Sequence, residues 1–151
     1  MAIRNIVQVG DDVLRKKSAE VTEFDSKLWA LLDDMAETLK KAQGAGLAGV
    51  QVGVLKRIFI VDYNDTIVEF INPKKIYESG TQIGQEGCLS VKGKYGTVTR
   101  PAKVVMEAQD RNGEKFRFNA KGFMAKCLCH EYDHLDGILY IDKATGVYED
   151  K

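Results

Sequence analysis

Cys129-His130-Glu131-Tyr132-Asp133-His134-Leu135 is the stretch on which the reading of this chain turns. It closes a segment, from about Gly122 to Leu135, in which Phe123, Cys127, Leu128, Glu131 and Leu135 recur at helical spacing, with Gly137 placed to end the helix. Residues four apart on an α-helix share one face, one turn apart. His130 and His134 can therefore bind one cation while Glu131 projects beside it, a carboxylate base aimed at water in a metal-dependent hydrolase. A pattern this short also arises by chance on an ordinary amphipathic helix. Here, however, the only two histidines of the chain both fall at metal spacing, around a carboxylate and within an apolar sequence.

Upstream of that helix the period shortens. Arg57 to Tyr63, Ile67 to Ile71 and Lys74 to Glu78 are β-branched and aromatic runs separated by the turn residues Asn64-Asp65 and Asn72-Pro73. Lys103 to Gln109 and Glu114 to Asn119 alternate around Asp110-Arg111-Asn112-Gly113, the strongest hairpin signal in the sequence. Between Asp25 and Lys41, Leu28, Leu31, Leu32, Met35 and Leu39 predict a long helix near the N-terminus, with Asp25 or Ser26 as its cap. Gly44 to Gly53, with four glycines, reads as a loop or a strand built for close contact. The expected fold class is α+β: a small single domain, residues 1–151, of antiparallel strands packed around a central helix that carries the metal motif.

Composition bounds the alternatives. A chain of 151 residues, 44% hydrophobic and 29% charged, suits one soluble globular domain with its own core. Lys plus Arg equals Asp plus Glu at 22 each, so no basic excess points to nucleic acid as a direct partner. No stretch approaches a membrane span and the first residues carry no export pattern, so a cytoplasmic location is expected. Three cysteines, an odd number, argue against a disulfide framework.

Two histidines leave a catalytic metal one protein ligand short. Cys127 precedes His130 by three residues and lies on roughly the same helical face, whereas Cys129 points well away. Cys88, in Glu86-Gly87-Cys88-Leu89-Ser90, could approach from a separate strand and would fix the metal better than a third ligand on one helix. Residue chemistry alone leaves the choice open, with small buried hydrophobes the plainer reading of Cys127 and Cys129. Asp133 and Asp136 are placed either to orient a histidine through its second ring nitrogen or to stand as solvated helix-end acids.

Taken together, three short motifs in order carry a family resemblance. Gly44-Ala45-Gly46-Leu47-Ala48-Gly49-Val50-Gln51, Glu86-Gly87-Cys88-Leu89-Ser90 and His130-Glu131-Tyr132-Asp133-His134 resemble the three motifs of the peptide deformylases, and the similarity runs to about Asp142. The resemblance implies that Cys88, His130 and His134 bind one divalent metal, ferrous iron in the cell with zinc, nickel or cobalt as substitutes. It implies that Glu131 is the general base and acid, and that the Gln51 amide and the Leu89 backbone N–H stabilise an oxyanion. The implied substrate is the N-formylmethionyl end of a peptide or nascent chain, met free or on the ribosome, and the product is formate. A strand edge at Ala45 and Gly46 would pair with the substrate backbone, and Leu128 and Cys129, with Ala45, are candidates for the methionine pocket.

Gly49 stands where a second alanine is usual, which loosens the loop, and Lys92 where many members have proline, which alters the wall after the metal strand. Lys143 to Lys151 reads as a short polar tail where longer members continue into a helix, so docking to a ribosome through such a helix is not expected. Two rivals share the motif chemistry. A metallopeptidase would need a third ligand after His134, where Glu149 is the only glutamate. A non-catalytic domain with a structural metal would close its site with a fourth ligand such as Cys127.

Overall fold

The computed structural model describes residues 2–149. A short 3-10 turn at Asp12–Arg15 precedes helix α1, Ser26–Ala42. The Asp25 carboxylate accepts the Leu28 N–H and caps α1, and Gln43 ends it in the left-handed conformation. Leu28, Leu31, Leu32, Met35 and Leu39 form its buried stripe, as their spacing predicts.

Strand β1, Gly46–Ala48, a second 3-10 turn at Gly49–Val52 and strand β2, Ile58–Tyr63, follow. Side chains alternate across a strand, so Ile58 and Ile60 join the α1 stripe while Phe59 and Val61 face the opposite core. This two-sided burial explains why β2 reads as an unbroken apolar run. Asn64 and Asp65, both at positive φ, form the two-residue turn into β3, Thr66–Ser79.

In β3 the structure corrects the expectation of two strands divided by a turn at Asn72-Pro73. The chain stays in the sheet and absorbs the pair as an irregularity between Ile71 and Lys74. Proline has no N–H for the ladder and Asn72 sits at positive φ, the conditions of a bulge. The Asn72 amide then bonds both backbone groups of Val21, which ties the N-terminal segment to the sheet.

Strands β4, Gln82–Cys88, and β5, Val91–Arg100, form a hairpin that the sequence pattern did not reveal. Strands β6, Lys103–Gln109, and β7, Lys115–Lys121, make the expected hairpin and lead into helix α2, Gly122–His134, with Gly137 following at positive φ. Helix α3, Tyr140–Lys143, and strand β8, Gly146–Glu149, complete the described chain. The polar tail expected from Lys143 onward is therefore structured through Glu149, because β8 pairs with β5; its last two residues lie outside the described set. The two sheets are antiparallel, ordered β1-β2-β3-β6-β7 and β4-β5-β8, in an α+β arrangement with few helices. No helix among the described residues is long and apolar enough to cross a membrane.

Candidate metal centre and catalytic pocket

The last turn of α2 carries His130, Glu131 and His134, all buried. Alternation along β4 puts Glu86 and Cys88 on one face, which it presents to that turn. The Cys88 Sγ lies 3.5 Å from His134 Nε2, and one donor atom from each of Cys88, His130 and His134 falls within 4.8 Å of the others. The donors are shared between a strand and a helix. Their convergence on one point, and the mix of one thiol with two imidazoles, fit a single divalent cation.

Among the described residues no fourth donor joins the trio. Cys127 is not part of the trio, and burial, reinforced by the Glu131 charge, pushes its thiol up to about 12. Glu149 is held in β8, opposite Lys94 in the register.

The hold on His130 differs from the expectation. Its Nδ1 lies 2.8 Å from Glu86 Oε1, and Glu86 is gripped by Arg100 through Nε at 2.8 Å and Nη2 at 3.0 Å. Asp133 does not orient a histidine: it accepts from Arg100 Nη1 at 2.7 Å and pairs with Lys143. Asp136 pairs with Arg57 at 3.0 Å. The reason is supply, since arginines take both helix-end acids while a carboxylate from the neighbouring strand reaches the imidazole. Burial opposes charge on Glu86, yet bonds from His130 and Arg100 prevail and pull its carboxyl down to about 2. Glu86 was legible as the residue two before Cys88, on the same strand face. Arg100, at the end of β5 between Thr99 and Pro101, gave no sequence signal.

Glu131 is 4% exposed, and its Oε1 has no hydrogen-bond partner among the described residues. Burial pushes its carboxyl up to about 7, and a cation in the trio favours the ionised form again. The backbone of β1 presses on this side chain: a Cβ at Gly46 would lie 2.8 Å from Glu131 Oε2. Glycine is what lets strand and base come this close. Gly49, expected to loosen its loop, is instead buried, with room for a Cβ only 3.1 Å from the Val54 carbonyl oxygen.

Gln51, in the turn after β1, is buried with its amide set by its neighbours. Oε1 accepts the Ala48 N–H at 2.9 Å, and Nε2 donates to Ser90 Oγ at 3.1 Å and lies 3.5 Å from Cys88 Sγ. Leu89 follows Cys88 in the β4–β5 turn, its carbonyl taken by the Gln8 amide at 2.9 Å. The family resemblance makes Gln51 an oxyanion donor, and removing one such preorganised donor costs about 10² to 10³ in turnover. Gln51→Ala is expected to lower kcat by about that factor, with metal content unchanged; steady-state kinetics beside metal analysis checks it.

A pocket of about 380 Å³ opens over these groups. Ala45 and Gly46 line it, whereas Leu128 and Cys129 are not among its lining residues. Leu128, 0% exposed, and Cys129, 3%, turn into the core with Phe59 and Phe70. The pocket side of α2 belongs instead to Cys127, one turn before His130 and Glu131, and to Phe123, one turn earlier still, with Lys126 at its edge.

An open cavity flanked by a cation-binding trio and an unpartnered carboxylate is the equipment of a metal-dependent hydrolase, one that takes its thiolate from a strand and its imidazoles from a helix. The polypeptide deformylase family model matches residues 3–149. A peptide deformylase of Acetivibrio thermocellus is 52% identical over 143 residues, 95% of this chain and 84% of the relative. Crystal structures of peptide deformylases from Thermotoga maritima and Legionella pneumophila superpose with TM-scores of 0.94 and 0.93. They share 34% and 39% identity, with 97% and 95% of this chain covered, and 100% and 87% of theirs. The chain belongs to the peptide deformylase family.

Proposed function

We propose that this protein removes the formyl group from N-formylmethionyl peptides, releasing formate and a free methionine amine. The observation that carries the reading is the unpartnered Glu131 Oε1, buried in the pocket beside the Cys88, His130 and His134 donors. Cys88, His130 and His134 would hold a divalent cation, which would supply Lewis acidity to make a water a better nucleophile and polarise the formyl oxygen. Glu131 takes a proton from the water as its oxygen bonds to the formyl carbon. The charge that develops on the formyl oxygen is met by the Gln51 amide and the Leu89 N–H. Glu131 then gives its proton to the methionine nitrogen as the C–N bond breaks.

Recognition follows from topology. As an edge strand, β1 keeps one side unpaired and toward the pocket, so Ala45 and Gly46 can add the substrate backbone as a further strand. Phe123, Cys127 and the stem of Lys126 offer the methionine side chain an apolar wall.

The metal in this reading is ferrous iron, on the family resemblance, since thiolate with two imidazoles suits zinc equally well. The chain acts as one domain over residues 1–151, with strands packed around α2; contacts from β1, β2, β5, β6 and β7 support that central place for the helix. It works in the cytoplasm on nascent chains at the ribosome or on released peptides, with no nucleic-acid or membrane contact of its own. Iron-loaded protein, prepared without oxygen, is expected to release one formate per N-formyl-Met-Ala-Ser. No formate from protein shown to hold iron would overturn the reading.

A further inference from the structure

Three lysines, Lys92, Lys94 and Lys126, line the pocket that holds the metal donors. None forms an ion pair with a carboxylate of the described residues. Lys92 and Lys94 are exposed at the start of β5. Lys126, on α2, is half-buried and held in place: its Nζ donates to the Gln85 carbonyl at 3.0 Å and stands 5.0 Å over the Phe123 ring. Of the acids near this charge, Glu86 and Glu131 are occupied and Glu149 is exposed to solvent. Glu86 is clamped by Arg100, Glu131 lies buried at the reacting centre, and Glu149, though opposite Lys94 in the register, makes no ion pair with it.

Past Gly44, which borders both cavities, a neighbouring groove has the opposite character. Glu37, Asp62 and Asp65 line it without ion-pair partners among the described residues, beside Asp33, which Arg111 neutralises, and a single lysine, Lys40. A chain with net charge zero has thus gathered unpaired lysines in the pocket and unpaired acids in the groove that adjoins it at Gly44.

From this separation we infer that the pocket selects, among formylated peptides, those with acidic side chains just after the methionine. The inference rests on the deformylase reading and adds a substrate preference to it. An anionic side chain in the pocket is attracted by its lysines and repelled from the adjoining acidic groove. A cationic one meets the reverse. Charges at an exposed rim act on encounter and on loosely held contacts, so the preference lies in KM and weakens with salt.

The test compares formyl-Met-Ala-Ser, formyl-Met-Glu-Ser and formyl-Met-Lys-Ser, each as the C-terminal amide so that no terminal carboxylate supplies charge. At low ionic strength kcat/KM for the Glu peptide is expected to exceed that for the Lys peptide roughly three- to tenfold, the ratio shrinking as salt rises. In the Lys92→Glu/Lys94→Glu variant the ratio is expected to invert. Because the readout is a ratio, it survives any general loss of activity. Hydrolysis of the neutral peptide with equal rates for Glu and Lys overturns this inference alone, as does a ratio that the double variant leaves in place. No hydrolysis of any of the three overturns the deformylase reading and the preference with it.

Discussion

Glu131→Gln is expected to keep its metal and lose about 10² to 10⁴ in kcat, the usual worth of a positioned general acid–base group. The amide has the volume of the carboxylate, so the buried slot beneath Gly46 stays filled and the fold has no cavity to answer for. What disappears is the group that the proposed reaction uses to move a proton from water to the departing amine. Cys88, His130 and His134 are untouched, so the metal remains bound. Formate release measured beside metal content separates the two roles, and an active Glu131→Gln enzyme would remove Glu131 from the reaction.

Arg100→Leu is expected to destabilise the protein by about 3–5 kcal/mol, the range for breaking a buried ion pair from one side. The guanidinium and the Glu86 carboxylate are both nearly inaccessible, with side chains 2% and 3% exposed. Removing the arginine strands Glu86 in the interior with His130 as its remaining partner and takes from Asp133 its closest bond. At roughly 2–4 °C per kcal/mol for a protein of this size, the melting temperature should fall by about 10 °C. Because Glu86 fixes the His130 ring, metal affinity should also fall, by about 10- to 100-fold. Arg57→Ala is the control. Its partner Asp136 is about one-third exposed and Arg57 also donates to the Leu135 carbonyl at 3.2 Å, so this variant should cost about 1–2 kcal/mol and leave metal affinity alone. Equal destabilisation by the two variants would refute the special place given to Arg100.

The separation between readable and unreadable features follows the range of the interactions involved. Local patterns carried α1 with its Asp25 cap, the Asp110–Gly113 hairpin, the metal helix and the strands around the apolar runs. In each case the signal is a periodicity or a turn preference expressed within about a dozen residues. Strands β4 and β5 escaped because glycines and polar residues blur their alternation. Their strand character comes from pairing with each other and with β8, a partner some fifty residues away.

The same division runs through the site. Residue types and spacings alone determined that two imidazoles and a carboxylate share a helical face, and the order of three motifs tied Cys88 and Gln51 to them. Only the tertiary structure decided which acid grips His130, because Asp133, Asp136 and Glu86 are chemically equivalent until Arg100 and Arg57 are placed. It also decided which α2 residues line the pocket. Leu128 and Cys129 adjoin the motif in sequence, but the helix turns about 100° per residue, and the apolar face of the sheet takes them into the core.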